Sequence, residues 1–443
     1  MSVQQKKIGI FIQWGFHEIR SVILSGLVTK LNTKYETVIY TFDKGSLLYQ
    51  SYLENAGVAF KYLDPENFDV KISRFDAVNE SIRKAYMRKN GVGNFRNYET
   101  PKNLSKIDYL KGCNLIWSLS SKITRYCSAK KYKNKNLTEF LLKEGITDIF
   151  LGGYSHINNR LIAFSGQEIG IQIWSLVNSW KDLYSNDFVS FSPKGLFTWS
   201  DSMTKNFKLH NPHLQENVYS IGNPAFDIFF DFKPVHAIEF YNLKYGISPE
   251  AIIFIYTMAN PLVTEDEHLS ILLVYEALRK NVTRNWHLLI RKNPCHNQRE
   301  YSELEALENV SFMEHYWEWD PAKDLAVQRK EGEIEWYDMI HFSTCNISVA
   351  STVSMEFLVS KKIVINIGFN GTGYEDENLV RFSEAPYYKT LCDEPNVFIC
   401  NSIGQFNSVL ANFSDMFVFD NRFQINEYFK AEQKSVDTII SLL

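Results

Sequence analysis

The stretch Cys345–Gly371, CNISVASTVSMEFLVSKKIVINIGFNG, constrains the fold more than any other part of the chain. Ile347–Ala350 is a short apolar run. Ser351 and Thr352 are a polar pair, and Met355, Phe357, Leu358 and Val359 form an apolar helical segment. A second apolar run, Ile363–Ile367, ends in Gly368, Asn370 and Gly371. Strand, turn, helix, strand is the unit of a parallel α/β sheet. The polar pair stands where the first strand gives way to the helix, and the N–H groups and dipole of a helix start favour an anion there. Glu356 follows one turn later. As the acid of a capping box it would need Ser or Thr at position 353, which is Val. The stretch reads either as a phosphate site or as an ordinary strand–helix turn.

The same alternation recurs along the chain. Ile8–Ile12, Glu36–Phe42 and Val58–Leu63 read as strands, with helices predicted over Glu18–Leu31 and Ser46–Asn55. Strands resume at Thr147–Leu151, Gly170–Leu176, Leu196–Trp199 and Asn217–Ile221. A segment holding Pro224 and Pro234 then reads as a linker. Beyond it, Ala251–Tyr256, Trp286–Ile290, Val310–Met313 and Val397–Cys400 read as strands of a second series. Helices are predicted over Glu265–Lys280 and Glu333–His341, a loop-rich region over Glu314–Lys330, and a helical end from Phe423. With 443 residues the chain exceeds one usual core. The expectation is an α/β protein with two Rossmann-like domains, 1–222 and 223–443, facing a central cleft.

Charge divides the chain unevenly. Between Lys71 and Lys135 there are 16 basic and 4 acidic residues, a balance of +12; since the whole chain carries −4, the remainder carries about −16. Such a field points to an anionic partner, or to solvated helix faces. The densest cluster, Lys130, Lys131, Lys133 and Lys135 with Tyr126 and Tyr132 interleaved, suits the headgroup level of an anionic membrane. A net charge of −4 does not suggest a nucleic-acid binder. The six cysteines show no C-x-x-C spacing and no zinc-like cluster, and Cys345 and Cys400, in or beside apolar runs, read as buried thiols, so a reducing cytoplasm is the expected setting. No stretch approaches the roughly 18 apolar residues of a membrane span. No D-x-D is present, and Glu265–Glu267 and Glu375–Glu377 read as acidic surface clusters, so no metal–diphosphate site is indicated.

Loops after parallel strands collect at one sheet edge, where ligands bind. Trp14–His17, Gly152–His156, Thr257–Pro261 and Ser351–Glu356 are such loops, joined by Arg291 and Lys292, a basic pair able to neutralise a diphosphate. His17 follows the first strand beside Gly15, where backbone can approach a ligand closely. Its imidazole could take a proton from an acceptor hydroxyl, or merely cap a helix. Asp182 is the second candidate base, or a turn Asp. Gly15 and His156 are the candidates for acceptor contacts.

Ser351-Thr352-x-x-x-Glu356 followed by Lys-Lys-Ile-Val-Ile-Asn-Ile resembles the donor-binding segment of GT-B glycosyltransferases, above all those that build bacterial surface polysaccharides and related glycans. Ser179-Trp-x-Asp182, Phe197-Thr-Trp-Ser200, and Gly222-Asn-Pro224-Ala-Phe-Asp227 resemble the same group, and Arg291-Lys292-Asn293-Pro294 looks like its Arg-Lys-x-Pro element, with Asn293 where many members have His. The resemblance implies that Ser351 and Thr352 touch the donor phosphates and Glu356 its ribose or sugar, with Gly222, Thr257, Arg291 and Lys292 completing a donor site. It also implies a C-terminal helix that crosses back to the first domain, a nucleotide-sugar donor that is a substrate and no cofactor, and a glycan or lipid-diphosphate acceptor at the inner face of the cell membrane. Ser348 stands where some retaining enzymes have Glu. CDP-polyol phosphotransferases and nonhydrolysing UDP-GlcNAc epimerases share this fold and a similar segment, and a binding subunit without activity is a further alternative.

Overall fold

The computed structural model describes residues 6–13, 15–42, 50–64, 82, 85, 86, 113–182, 188–293 without 262 and 265, 301–320 without 315, 325–412 and 434–443. Most of the basic segment and the first part of the predicted C-terminal helix lie outside the described residues. The chain divides into two compact units, Met1–Asp227 with Asn426–Leu443, and Ile228–Ile425.

The first unit is built on β1 (Lys7–Ile12), β2 (Glu36–Thr41), β3 (Ala59–Tyr62), β4 (Asp148–Leu151), β5 (Gln172–Leu176), β6 (Gly195–Thr198) and β7 (Val218–Ser220). All pair in parallel, in the order β3-β2-β1-β4-β5-β6-β7. β1 and β4 are buried along almost their whole length, as strands covered by helices on both faces must be. The second unit holds β8 (Ile252–Thr257), β9 (Trp286–Arg291), β10 (Val310–Phe312), β13 (Cys345–Ser348), β14 (Ile363–Ile367) and β15 (Val397–Cys400), parallel in the order β10-β9-β8-β13-β14-β15. Its core joins Phe254, Leu288, Ile347 and Ile365 of the central strands to Ile271, Val274 and Leu278 of the helix Glu267–Asn281. Both sheets wind outward from a first strand in one direction and then in the other, which puts a topological switch point between β1 and β4 and another between β8 and β13.

Three local expectations are corrected. The helix predicted over Glu18–Leu31 is broken into a short α-helix Gly15–Glu18, a π-helical stretch Ile19–Leu24 and an α-helix Leu27–Asn32. Gly26 makes the break with φ +78°, a conformation side chains other than glycine's disfavour. The region predicted as loop-rich contains an antiparallel ribbon, β11 (Trp317–Asp320) and β12 (Leu325–Gln328). Tyr132, expected at a membrane surface, is buried and stacks on Phe164 at 6.1 Å.

The helix Ser435–Leu442 belongs to the first unit. Its opening N–H groups, those of Ser435 and Val436, donate to the two carboxylate oxygens of Asp227 at 3.0 and 2.9 Å. Asp227 thereby supplies from 208 residues away the oxygen acceptors that a local N-cap would give. In the second unit, buried Asp338 plays a similar part for the chain that enters it, accepting from the backbone of Val235 and His236 and from the Tyr241 hydroxyl at 2.7 Å.

Candidate functional site

The parallel strands of the second sheet end on one edge. Their register sets Arg291 beside Thr257, Thr257 beside Ser348, and Ser348 beside Asn366. Four polar residues thus stand in a row across four adjacent strands, centred on the switch point. Beneath the row, Asn346 Nδ2 donates to Thr257 Oγ1 at 2.9 Å, and Ser348 Oγ donates to Asn346 Oδ1 at 2.9 Å. One strand further, Asn366 Nδ2 lies 3.2 Å from Ser354 Oγ, and the buried Tyr388 hydroxyl donates to Asn366 Oδ1 at 2.5 Å. These buried amides and hydroxyls fix the start of the helix Val353–Val359, because a satisfied polar network in a dry interior tolerates little rearrangement. Ser351 and Thr352, at the mouth of that turn, are half-buried. Thr352 sits at the N-cap without a side-chain cap bond, so its hydroxyl does not serve its own helix.

Arg291 and Glu356 are linked through a residue that the sequence did not single out. The Arg291 guanidinium lies 3.8 Å from the ring centre of Trp336, and the Trp336 indole N–H donates to Glu356 Oε2 at 2.6 Å. Trp336 and Glu356 are both buried, so the carboxylate expected to meet a ribose or sugar is anchored inside the unit by the indole. Lys292 turns to another aromatic surface, 4.8 Å from the Phe312 ring centre and 5.4 Å from that of Tyr301. The two cations are neighbours in sequence but extend along a strand end, where successive side chains diverge. Thr257, Arg291, Ser351 and Thr352 therefore form the part of the expected donor site that lies along the edge. Gly222, the remaining expected donor residue, belongs to the first unit and has φ +92°, which explains glycine there by backbone conformation.

Glu267, read from sequence as part of an acidic surface cluster, is buried. It accepts from the Ala259 N–H at 3.0 and 2.9 Å and from the Tyr256 hydroxyl at 3.1 Å, pinning the loop that leaves β8. Burial pushes its carboxyl up to about 7, against the pull of those hydrogen bonds.

The corresponding edge of the first sheet is filled differently. Glu18, one residue past the candidate base His17, is fully buried and its carboxylate accepts from the Gln13 N–H. Its side chain lies on Gly152 and Gly153 at the end of β4. A Cβ at Gly152 would stand 2.9 Å from Glu18 Cδ, and one at Gly153 would run into the Asn178 amide and approach Glu18 Oε1 to 3.1 Å. Asn159 secures the same turn by donating to the Gly153 carbonyl at 2.6 Å. Adjacent glycines at a strand end were the signal that something approaches closely; nothing in the sequence said that it would be the carboxylate beside His17.

His17 itself is exposed, in the short helix that Gly15 opens. His156 caps the helix Ile157–Glu168, its Nδ1 accepting from the Asn158 N–H at 3.2 Å. Burial and the neighbouring Arg160 push that imidazole down to about 4, so it is neutral at pH 7. Asp182 is buried in a turn in which its carboxylate accepts from the Ser179 N–H at 3.1 Å and its own N–H donates to the Ser179 carbonyl at 3.0 Å. Burial lifts the Asp182 carboxyl to about 7, opposed by Lys181 and by the N–H groups of Ser179 and Asn178.

No family model and no curated protein sequence matches the chain. Solved structures match along nearly its whole length. A UDP-GlcNAc 2-epimerase from Methanocaldococcus jannaschii is 10% identical with a TM-score of 0.55, over 98% of this chain and 99% of that one. A UDP-N-acetylglucosamine 2-epimerase from Rickettsia bellii is 11% identical with a TM-score of 0.53, over 99% and 96%. The Neisseria meningitidis UDP-GlcNAc 2-epimerase, solved bound to UDP-GlcNAc, is 10% identical with a TM-score of 0.52, over 98% of each chain. At such identity the likeness is one of fold. The chain has the GT-B-type α/β fold, two Rossmann-like domains each built on a parallel sheet.

Proposed function

We propose that the chain is an enzyme acting on a nucleotide-activated sugar, and that it transfers the sugar to a glycan or lipid-diphosphate acceptor. The observation that carries this reading is the polar row at the second switch point, Arg291, Thr257, Ser348 and Asn366 in register, with Ser351 and Thr352 at the adjoining helix start. The donor diphosphate would lie against Arg291 and the N–H groups of that helix start, with the Thr352 hydroxyl as a further donor. The same groups would stabilise the charge that grows on the leaving diphosphate, with no metal ion required. A base takes the proton of the acceptor hydroxyl. His17 is accessible for that task, and Asp182 has its carboxyl lifted into the range where proton exchange at neutral pH is efficient.

The test is a screen of UDP-, GDP-, CDP-, CMP- and dTDP-activated compounds for nucleotide release, in EDTA and with acceptor glycans. Release from one donor class that rises with acceptor is the expected result; no binding or turnover of any donor would end the reading. His17→Ala should slow the chemical step by roughly 10²–10⁴-fold while leaving nucleotide affinity nearly unchanged. Normal turnover in that variant, with loss in Asp182→Ala, would exchange the roles. A second reading, sugar-nucleotide epimerisation, is favoured by the whole-length fold match to epimerases, one of them bound to UDP-GlcNAc. Proton NMR of UDP-GlcNAc incubated with the chain separates the two: an epimerase changes the sugar and keeps it on the nucleotide, whereas a transferase releases the nucleotide.

A further inference from the structure

The helix Asn114–Lys131 is amphipathic in the wrong sense for a helix that packs only on its own protein. The residues it buries are Trp117, Ser120, Ser121, Thr124 and Ser128, one aromatic and four hydroxyls. Thr124 and Ser121 return their hydroxyls to helix carbonyls, those of Ser120 at 2.8 Å and Ser118 at 2.9 Å, and Trp117 stacks on Tyr86 at 5.1 Å. The opposite face is apolar and exposed: Leu115 by 80%, Leu119 by 58%, Ile123 by 41% and Tyr126 by 62%. Spacings of four, four and three residues place these side chains in one stripe. Lys122 lies within the stripe, and Lys130 beside it holds its ammonium 4.5 Å from the Tyr126 ring centre. The helix contains four basic residues and no acidic one.

We propose that this outward face docks on an anionic lipid bilayer, the helix lying in the interface with its aliphatic stripe inserted and Lys122 and Lys130 at headgroup level. Charge selects this occupant. A second copy would set Lys122 and Lys130 against their own counterparts, and the segment 65–112 of the chain itself carries 10 basic and 6 acidic residues, a net positive cover for a positive face. An anionic bilayer offers negative charge and an apolar interior together, and a convex helix with single projecting side chains matches a fluid surface. Lys133 and Lys135 are matched by Glu168 and Glu139, so the contact rests on the helix and not on the cluster beyond it.

The experiment is co-sedimentation of the full chain with phosphatidylcholine vesicles, with and without phosphatidylglycerol, over a salt series. Binding is expected to need phosphatidylglycerol and to fall as salt rises. Leu115→Ser/Leu119→Ser/Ile123→Ser, all exposed positions, should weaken it by about 100-fold or more. Lys122→Gln/Lys130→Gln should weaken it by roughly 30-fold. Unchanged thermal unfolding confirms that the variants fold. Absence of pelleting with anionic vesicles overturns the proposal, as does pelleting that the serine variant retains. Concentration-dependent dimerisation lost in the serine variant assigns the face to a second copy instead. Equal binding to poly-glutamate assigns it to an acidic polypeptide.

Discussion

The two sheets share a winding order and differ in what fills their switch points. In the first unit the crevice between β1 and β4 is closed by the chain's own carboxylate, Glu18, lying on Gly152 and Gly153. In the second, the strand ends flanking the crevice carry short hydroxyls and amides braced from beneath, with a guanidinium at one side. One topology thus has two fillings: the first crevice is packed by the chain's own carboxylate, and the second leaves Thr257, Arg291, Ser351 and Thr352 partly exposed along the strand ends. Topology locates a site, and the volume of the side chains at the strand ends decides whether a ligand can use it.

Among the described residues, a buried carboxyl is raised to about 7 in each unit, Asp182 in the first and Glu267 in the second. From the ordinary carboxyl range up to about pH 7 the folded chain keeps protons that the unfolded chain has released, so stability falls as pH rises through that window. Glu267→Gln keeps an oxygen for the Ala259 N–H and has no proton to lose. It should remove about 3 kcal/mol of the total fall in stability, read by denaturant titrations between about pH 4 and 8. Asp182→Asn should do the same for the first unit, and the two effects should add. A parallel pH dependence in wild type and Glu267→Gln would mean that this carboxyl is ionised in the folded chain.

Next in size is the contrast in ligand binding. Arg291→Ala and Thr352→Val should each weaken nucleotide binding by roughly 1.5–3 kcal/mol, read by calorimetry, as loss of a hydrogen bond to a charged oxygen does. Unchanged affinity in both would remove the functional half of the comparison. Gly152→Ala and Gly153→Ala probe the other half. Each should destabilise by about 1–3 kcal/mol through overpacking against Glu18 and Asn178. Combining Gly152→Ala with Glu18→Ala should recover part of the Gly152→Ala loss, so a strictly additive double mutant would show that Glu18 does not fill the crevice. The smallest effect is expected of Thr352→Val on folding itself: half-buried and without a cap bond, it should change stability by no more than about 0.5 kcal/mol.

The strands were legible because a buried parallel strand is written as an unbroken apolar run, as in Ile8–Ile12 and Ile363–Ile367. Their carboxyl ends followed, and with them the positions of Thr257, Arg291, Ser351 and Thr352. The buried carboxylates were not legible. Glu18 and Glu267 each stand near a helix start, where an acidic residue is ordinary, and only tertiary packing turns them inward to hold loop N–H groups. Trp336 gave no signal either, since an aromatic residue at helical spacing reads as core; its ring face meets Arg291 and its indole N–H meets Glu356, which links the two. The ribbon β11–β12 escaped notice because its strands are short and antiparallel, outside the alternation that marks the rest.

The bond between Asp227 and the helix Ser435–Leu442 bears on the order in which the protein is made. The ribosome finishes the whole of Ile228–Ile425 before it adds the helix that the first unit needs. During that interval the strands β1–β7 of the first sheet are already made, and the Asp227 carboxylate is bare of its two N–H donors. The last helix of the first unit can therefore take its place only after the whole of the neighbouring unit has been synthesised.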